Sequence, residues 1–166
     1  MDTPIARTRT YPTSNNLSDS VRTQMIDLLN QELANTADLH SQLKQAHWNV
    51  TGMHFYPLHL LFDKLAEEVE DYVDDLAERV TALGGVALGT VRMAAESSQL
   101  TEFPTDLGDG QSFVEAAAHR VAAVANSTRQ GIDTATDAGD AVTADLLTEI
   151  ARGLDKSLYF LEAHLR

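Results

Sequence analysis

His59-Leu60-Leu61-Phe62-Asp63-Lys64-Leu65-Ala66-Glu67-Glu68-Val69-Glu70-Asp71-Tyr72-Val73-Asp74-Asp75-Leu76-Ala77-Glu78 is the stretch on which both fold and chemistry turn. Leu58, Leu61, Leu65, Val69, Tyr72, Leu76, Val80 and Leu83 recur at steps of three and four, the apolar stripe of a helix that faces a core. Beside it runs a second stripe at the same steps: His59, Asp63, Glu67, Glu70, Asp74 and Glu78. The spacing predicts a helix from about Tyr56 to Leu83. Pro57 lies in its first turn, where a missing N–H is harmless, and Gly84-Gly85 ends it.

Upstream, Met25, Leu29, Leu33, Thr36, His40, Leu43 and His47 form one face of a helix starting near Asp19, capped by Ser18 and broken by Gly52. Residues 1–17 are aperiodic and polar, so they read as a flexible tail ahead of a single domain at 18–166. Downstream, residues 86–109 carry Gly89, Pro104 and Gly108, a long crossover with a short helix at Arg92–Ser97. Helices follow at 111–137 and 140–165, with the turn at Asp137-Ala138-Gly139-Asp140. No strand pattern interrupts them. An all-α chain of four long helices with one long crossover fits the ferritin-like form of the four-helix bundle.

Composition narrows the chemistry. The 166 residues suffice for one sizeable core, and no apolar run approaches the ~18 residues of a membrane span. Met1 to Tyr11 has no apolar h-region, so no secretory leader and a cytoplasmic location are expected. With no cysteine, any metal must be held by His, Asp, Glu or water. The formal charge of −13 favours cations and opposes nucleic acid and anionic membranes.

A charged helix face is ordinarily a solvated one. Here His59/Asp63 and Asp74/Glu78 are i,i+4 pairs of metal-binding side chains, and His47, beside the sole tryptophan Trp48, ends the preceding apolar face. Asp63 and Asp74 stand eleven residues apart, roughly 16 Å along a helix axis, too far for one ion with bonds near 2 Å. One chain therefore carries two half-sites. Let two copies of this helix cross antiparallel about a two-fold axis. His59 then opposes Glu78 and Asp63 opposes Asp74 about one shared midpoint, between Glu68 and Val69. Each chain's first pair meets its mate's second.

Lys44-Gln45-Ala46-His47-Trp48-Asn49-Val50, the His59–Asp63 segment and Asp74-Asp75-Leu76-Ala77-Glu78-Arg79 together resemble the Dps family of mini-ferritins. Leu83–Thr90 and Leu161–Leu165 extend the likeness over nearly all of 18–165. The resemblance implies a ferroxidase centre at a subunit seam, with His47, His59 and Asp63 from one chain, Asp74 and Glu78 from its mate, and Lys44 nearby. It implies a hollow dodecamer that stores mineral iron, with Fe(II) and hydrogen peroxide as substrates. Zinc or manganese can compete for such ligands. Trp48 reads either as a radical trap or as interface packing.

The resemblance also places acidic residues of the last turn region in three-fold pores. Asp145 and Asp140 are the candidates among Asp137, Asp140, Asp145 and Glu149, with a solvated face or helix cap as the plainer alternative. DNA-binding relatives often use a lysine-rich tail. This tail has only Arg7 and Arg9, and Asp2 offsets one, so DNA binding is expected to be weak or absent. The competing reading is a DNA-condensing cage with little ferroxidase activity. A larger ferritin or bacterioferritin is disfavoured, because Glu-x-x-His pairs are missing where they would be needed. His40 reads as a core or interface histidine or an accessory ligand, His54 as an exposed loop histidine or a further metal contact, and His119 and His164 as surface residues.

Overall fold

The structure, a computed structural model, describes residues 9–166. The first part of the expected tail, Arg7 included, lies outside the described residues. Five helices follow in order: α1 (Asp19–Asn49), α2 (Phe55–Ala82), α3 (Val91–Ser97), α4 (Gly110–Asp137) and α5 (Ala141–Glu162). The expected all-α bundle is present, and no strand occurs among the described residues.

The helix ends follow from local chemistry. The Ser18 hydroxyl accepts from the Val21 N–H, Thr90 does the same for Met93, and Asp109 for Ser112, so three helices start on side chains that fill orphan donors. Gly52, at φ +100°, makes the tight turn into α2, a conformation in which a side chain would be strained. Helix α5 stops at Glu162 rather than at 165. Leu161 is its last buried residue, and the turns beyond gain no packing to offset chain entropy.

Helices α1 and α2 form one antiparallel hairpin, and α4 and α5 another. The crossover carries the chain back along the bundle, so α4 runs antiparallel to α1: Gln42 meets Arg120, while Glu32 meets Ser127 and Thr128. Phe62, Met25, Leu29, Leu33, Leu65, Leu76, Leu147 and Leu154 fill the space between, all fully buried. Glu32 is also buried, and burial pushes its carboxyl pKa up although the hydroxyls of Ser127 and Thr128 pull the other way.

The crossover is held by a polar face of α1. The Asn30 amide donates to the Val86 carbonyl and accepts from the Leu88 N–H (3.2 and 2.9 Å). Gln31 donates to Ser97, Asn35 accepts from the Gln99 N–H, Asp38 accepts from the Ser98 hydroxyl, and Gln42 donates to Thr101. The irregular backbone thereby finds partners that a helix or sheet would otherwise supply. At the other end, the Tyr11 N–H donates to the Gly84 carbonyl at 2.8 Å, laying the chain before α1 against the end of α2.

Candidate metal centre

The hairpin of α1 and α2 brings three of the expected ligands together. The rings of His47 and His59 stack with centroids 3.8 Å apart and planes 21° from parallel. Each Nδ1 lies 2.8 Å from the other residue's backbone carbonyl. A carbonyl only accepts, so both Nδ1 atoms carry the proton, and Nε2 is left in each ring as the nitrogen able to bind a metal. The His47 carbonyl belongs to the last turn of α1, where no intrahelical donor reaches it, so the His59 ring fills a vacancy built into the helix end.

Asp63 lies one turn along α2 from His59. Its Oδ1 is 3.8 Å from His47 Nδ1 and 2.5 Å from Lys44 Nζ. The bond from Lys44, with the nearby imidazoles adding to it, holds the Asp63 carboxyl below the ordinary aspartate range. Lys44 also stands 5.9 Å from the centroid of Trp48, which is 65% exposed.

The other half is open. Asp74 and Glu78 are both exposed on α2, and no hydrogen bond or ion pair orients either carboxylate among the described residues. Their neighbour Asp75 has its pKa raised by burial and then by Glu149, Asp71 and Asp74, a sign of crowded like charge on this face. Among the described residues no three His, Asp or Glu side chains of one protomer converge to hold a metal.

Arg79, which follows Glu78, is the fixed point of this end of α2. Its guanidinium donates to both oxygens of Asp140 (2.9 and 3.0 Å) and to the Thr143 hydroxyl (3.0 Å). Asp140 is 2% exposed and caps α5 through the Thr143 N–H. Burial opposes its ionisation, but the Thr143 bonds and the Arg79 charge outweigh that and hold its pKa low. The structure therefore gives Asp140 the capping role: its charge is matched within the protomer and turned away from solvent. Asp145 and Glu149 are exposed one turn apart on α5, and Asp137 is exposed at the end of α4. Sequence spacing missed the reciprocal imidazole bonds and the Arg79–Asp140 pair. The helix cap at Asp140 was among the readings open in sequence, but nothing in the spacing marked Arg79 as its partner. His54 and His119 are exposed, and His164 bonds the Phe160 carbonyl.

The ferritin-like domain family matches residues 26–166. The DNA protection during starvation protein of Agrobacterium fabrum is 40% identical over 158 residues, covering 95% of this chain and 98% of that one. The chain belongs to the Dps family. A Mycobacterium smegmatis Dps structure superposes with TM-score 0.90 at 33% identity, covering 95% of each chain. DpsA14 from Streptomyces coelicolor does so with TM-score 0.90 at 31% identity, covering 96% of this chain and 94% of that one. Dps and other ferritin-like proteins generally bind, oxidise and store iron, and Dps proteins protect DNA. Stress response runs through the relatives' names: General stress protein 20U of Bacillus subtilis is 31% identical over 142 residues, covering 86% of this chain and 97% of that one. No helix among the described residues of this Dps chain is long and apolar enough to cross a membrane.

Proposed function

We propose that this Dps protein is a ferroxidase and iron store that oxidises Fe(II) with hydrogen peroxide at the seam between two copies. His47, His59 and Asp63 of one copy and Asp74 and Glu78 of its mate bind the iron, and twelve copies enclose the mineral. The observation that carries this reading is the reciprocal imidazole pair. Each ring is locked in the tautomer that leaves Nε2 for metal, with an ionised carboxylate one turn away. One protomer leaves this set short of ligands, and the mate's α2 supplies carboxylates in the two-fold arrangement.

The chemistry follows from the ligands. Imidazoles suit Fe(II), while carboxylates stabilise Fe(III) more, so the mixed set favours electron loss. Two Fe(II) ions give one electron each to one peroxide and its O–O bond breaks. With two further water molecules the products are two FeOOH units and four protons. Pairing the electrons leaves no hydroxyl radical. Trp48 would be covered by the mate, and there its indole can give an electron to a radical that strays. The exposed Asp145 carboxylates, gathered around a three-fold axis, would draw Fe(II) inward, an attraction that salt screens. Zn(II) and Mn(II) fit the same ligands as competitors. A shell with −13 per copy binds DNA weakly at physiological salt.

The test is stopped-flow oxidation of Fe(II) by peroxide with the double variant His47→Ala/Glu78→Ala, alongside native mass. The variant should assemble like the wild type and lose the fast phase. A retained fast phase refutes the centre. A mobility shift of DNA at physiological salt would refute the weak-binding statement and favour the DNA-condensing role instead.

A further inference from the structure

His40 stands apart from the centre described above. Its ring is half-buried, and among the described residues no hydrogen bond or ion pair of the protomer engages it. Together with Glu70, Asp38, Ser41 and Glu102 it lines a cavity of about 440 Å³ bounded by α1, α2, α3 and the crossover. No lysine or arginine lines this cavity. Arg120 stands behind it, its guanidinium spent on the Gln42 side chain and the carbonyls of Glu102 and Ala116. Asp38 is likewise spent, on Gln42 and Ser98. His40 and Glu70 are left with unused ligand atoms.

Their positions repeat the centre. His40 precedes His47 by seven residues on α1, and Glu70 follows Asp63 by seven on the antiparallel α2. Seven residues are close to two turns, so both steps keep the helix face and move in the same direction, each by roughly 10 Å. The relative placement of His47 and Asp63 across the hairpin is thus repeated by His40 and Glu70 two turns along, where both line the cavity without touching each other in a bond or ion pair. Under the two-fold pairing proposed above, Glu70 faces Glu67 of the mate.

From this repeat we infer that the cavity is a second divalent-cation site, taking Fe(II) or an ion of similar size and ligand preference. His40 and Glu70 come from one protomer and Glu67 from the mate. The contribution of Glu67 rests on the proposed two-fold seam, whereas the His40–Glu70 cavity exists within one chain. Imidazole with carboxylates is the donor set such ions select, and a site with three protein ligands leaves room for water. Each pair of subunits then carries two more cation sites between its two oxidising centres, closer to the axis.

Zn(II), which undergoes no redox change, is the probe. It is titrated by calorimetry into the assembled, metal-free protein, with native mass verifying each variant. The wild type should show two classes of site, and His40→Gln and Glu70→Gln should each weaken the same class at least tenfold. Glu67→Gln should weaken that class too, and His59→Gln should weaken only the other. Wild-type titrations from both His40→Gln and Glu70→Gln overturn the second site, whatever His59→Gln does. If His59→Gln changes nothing while His40→Gln loses a class, the oxidising centre is misplaced and the second site stands. An unchanged Glu67→Gln titration overturns the mate's share.

Discussion

The two halves of the candidate centre lie on one helix and are built in opposite ways. At the start of α2, His59 is locked to His47 by two reciprocal bonds and Asp63 is held by Lys44, so these proposed ligands are already placed within the free protomer. At the other end, Asp74 and Glu78 project from the surface with no restraining bond among the described residues. What is fixed there is the backbone, through Arg79 and Asp140. The contrast teaches where rigidity is invested. Imidazoles bind through one nitrogen and need orientation, whereas exposed carboxylates can swing to either of two oxygens and adapt to an ion already held.

The strongest way to break this contrast is to cut the backbone anchor of the open half. Asp140→Ala removes a helix cap and strands the half-buried Arg79 guanidinium beside it. It should cost about 3–5 kcal/mol in equilibrium unfolding. The Asp140 pKa is depressed in the fold, so its contribution is complete above the ordinary aspartate range and is lost as pH falls through the lower folded value. Asp140→Asn should therefore flatten the acid side of the stability profile. An acid limb as steep as the wild type's would disprove that role.

Next in size is the locked half. His59→Ala deletes a proposed ligand and releases the His47 carbonyl at once, so peroxide-driven oxidation should slow on the order of 100-fold, read as the initial stopped-flow rate. Glu78→Ala, on the adaptable half, should slow it less, about tenfold, because Asp74 remains to accept the ion. Equal losses from the two variants would erase the distinction between the halves. The smallest effect is Lys44→Met. It lets the Asp63 pKa rise toward its ordinary value and removes the cation a metal must displace, so Zn(II) affinity should tighten by about two- to three-fold, the modest effect of a part-exposed ion pair. Weaker binding would show that Lys44 assists the ion instead.

Most of the helical frame was legible from spacing, because apolar residues at steps of three and four have one economical burial. The Ser18 cap, the break at Gly52 and the short crossover helix all stand where local residues placed them. The last turn of α5 was overextended, since Leu165 continues the pattern in sequence but has no core to meet. For the centre, ligand types and intervals marked which residues to watch, but not how they are held. The carbonyl partners of His47 and His59 are backbone atoms twelve residues away across a turn, and no residue code announces them. Asp140 stood between pore acid and helix cap in sequence, because the Arg79 that settles its surroundings lies sixty-one positions upstream.

The polar stripe of Asn30, Gln31, Asn35, Asp38 and Gln42 along α1 serves as a template for the crossover. Surface connections ordinarily absorb inserted residues with little harm. This one is matched to α1 peg by peg from Val86 to Thr101, so a single residue added midway would put the pegs beyond it out of step together. The longest connection of the domain is thus as intolerant of length change as a strand at the centre of a sheet.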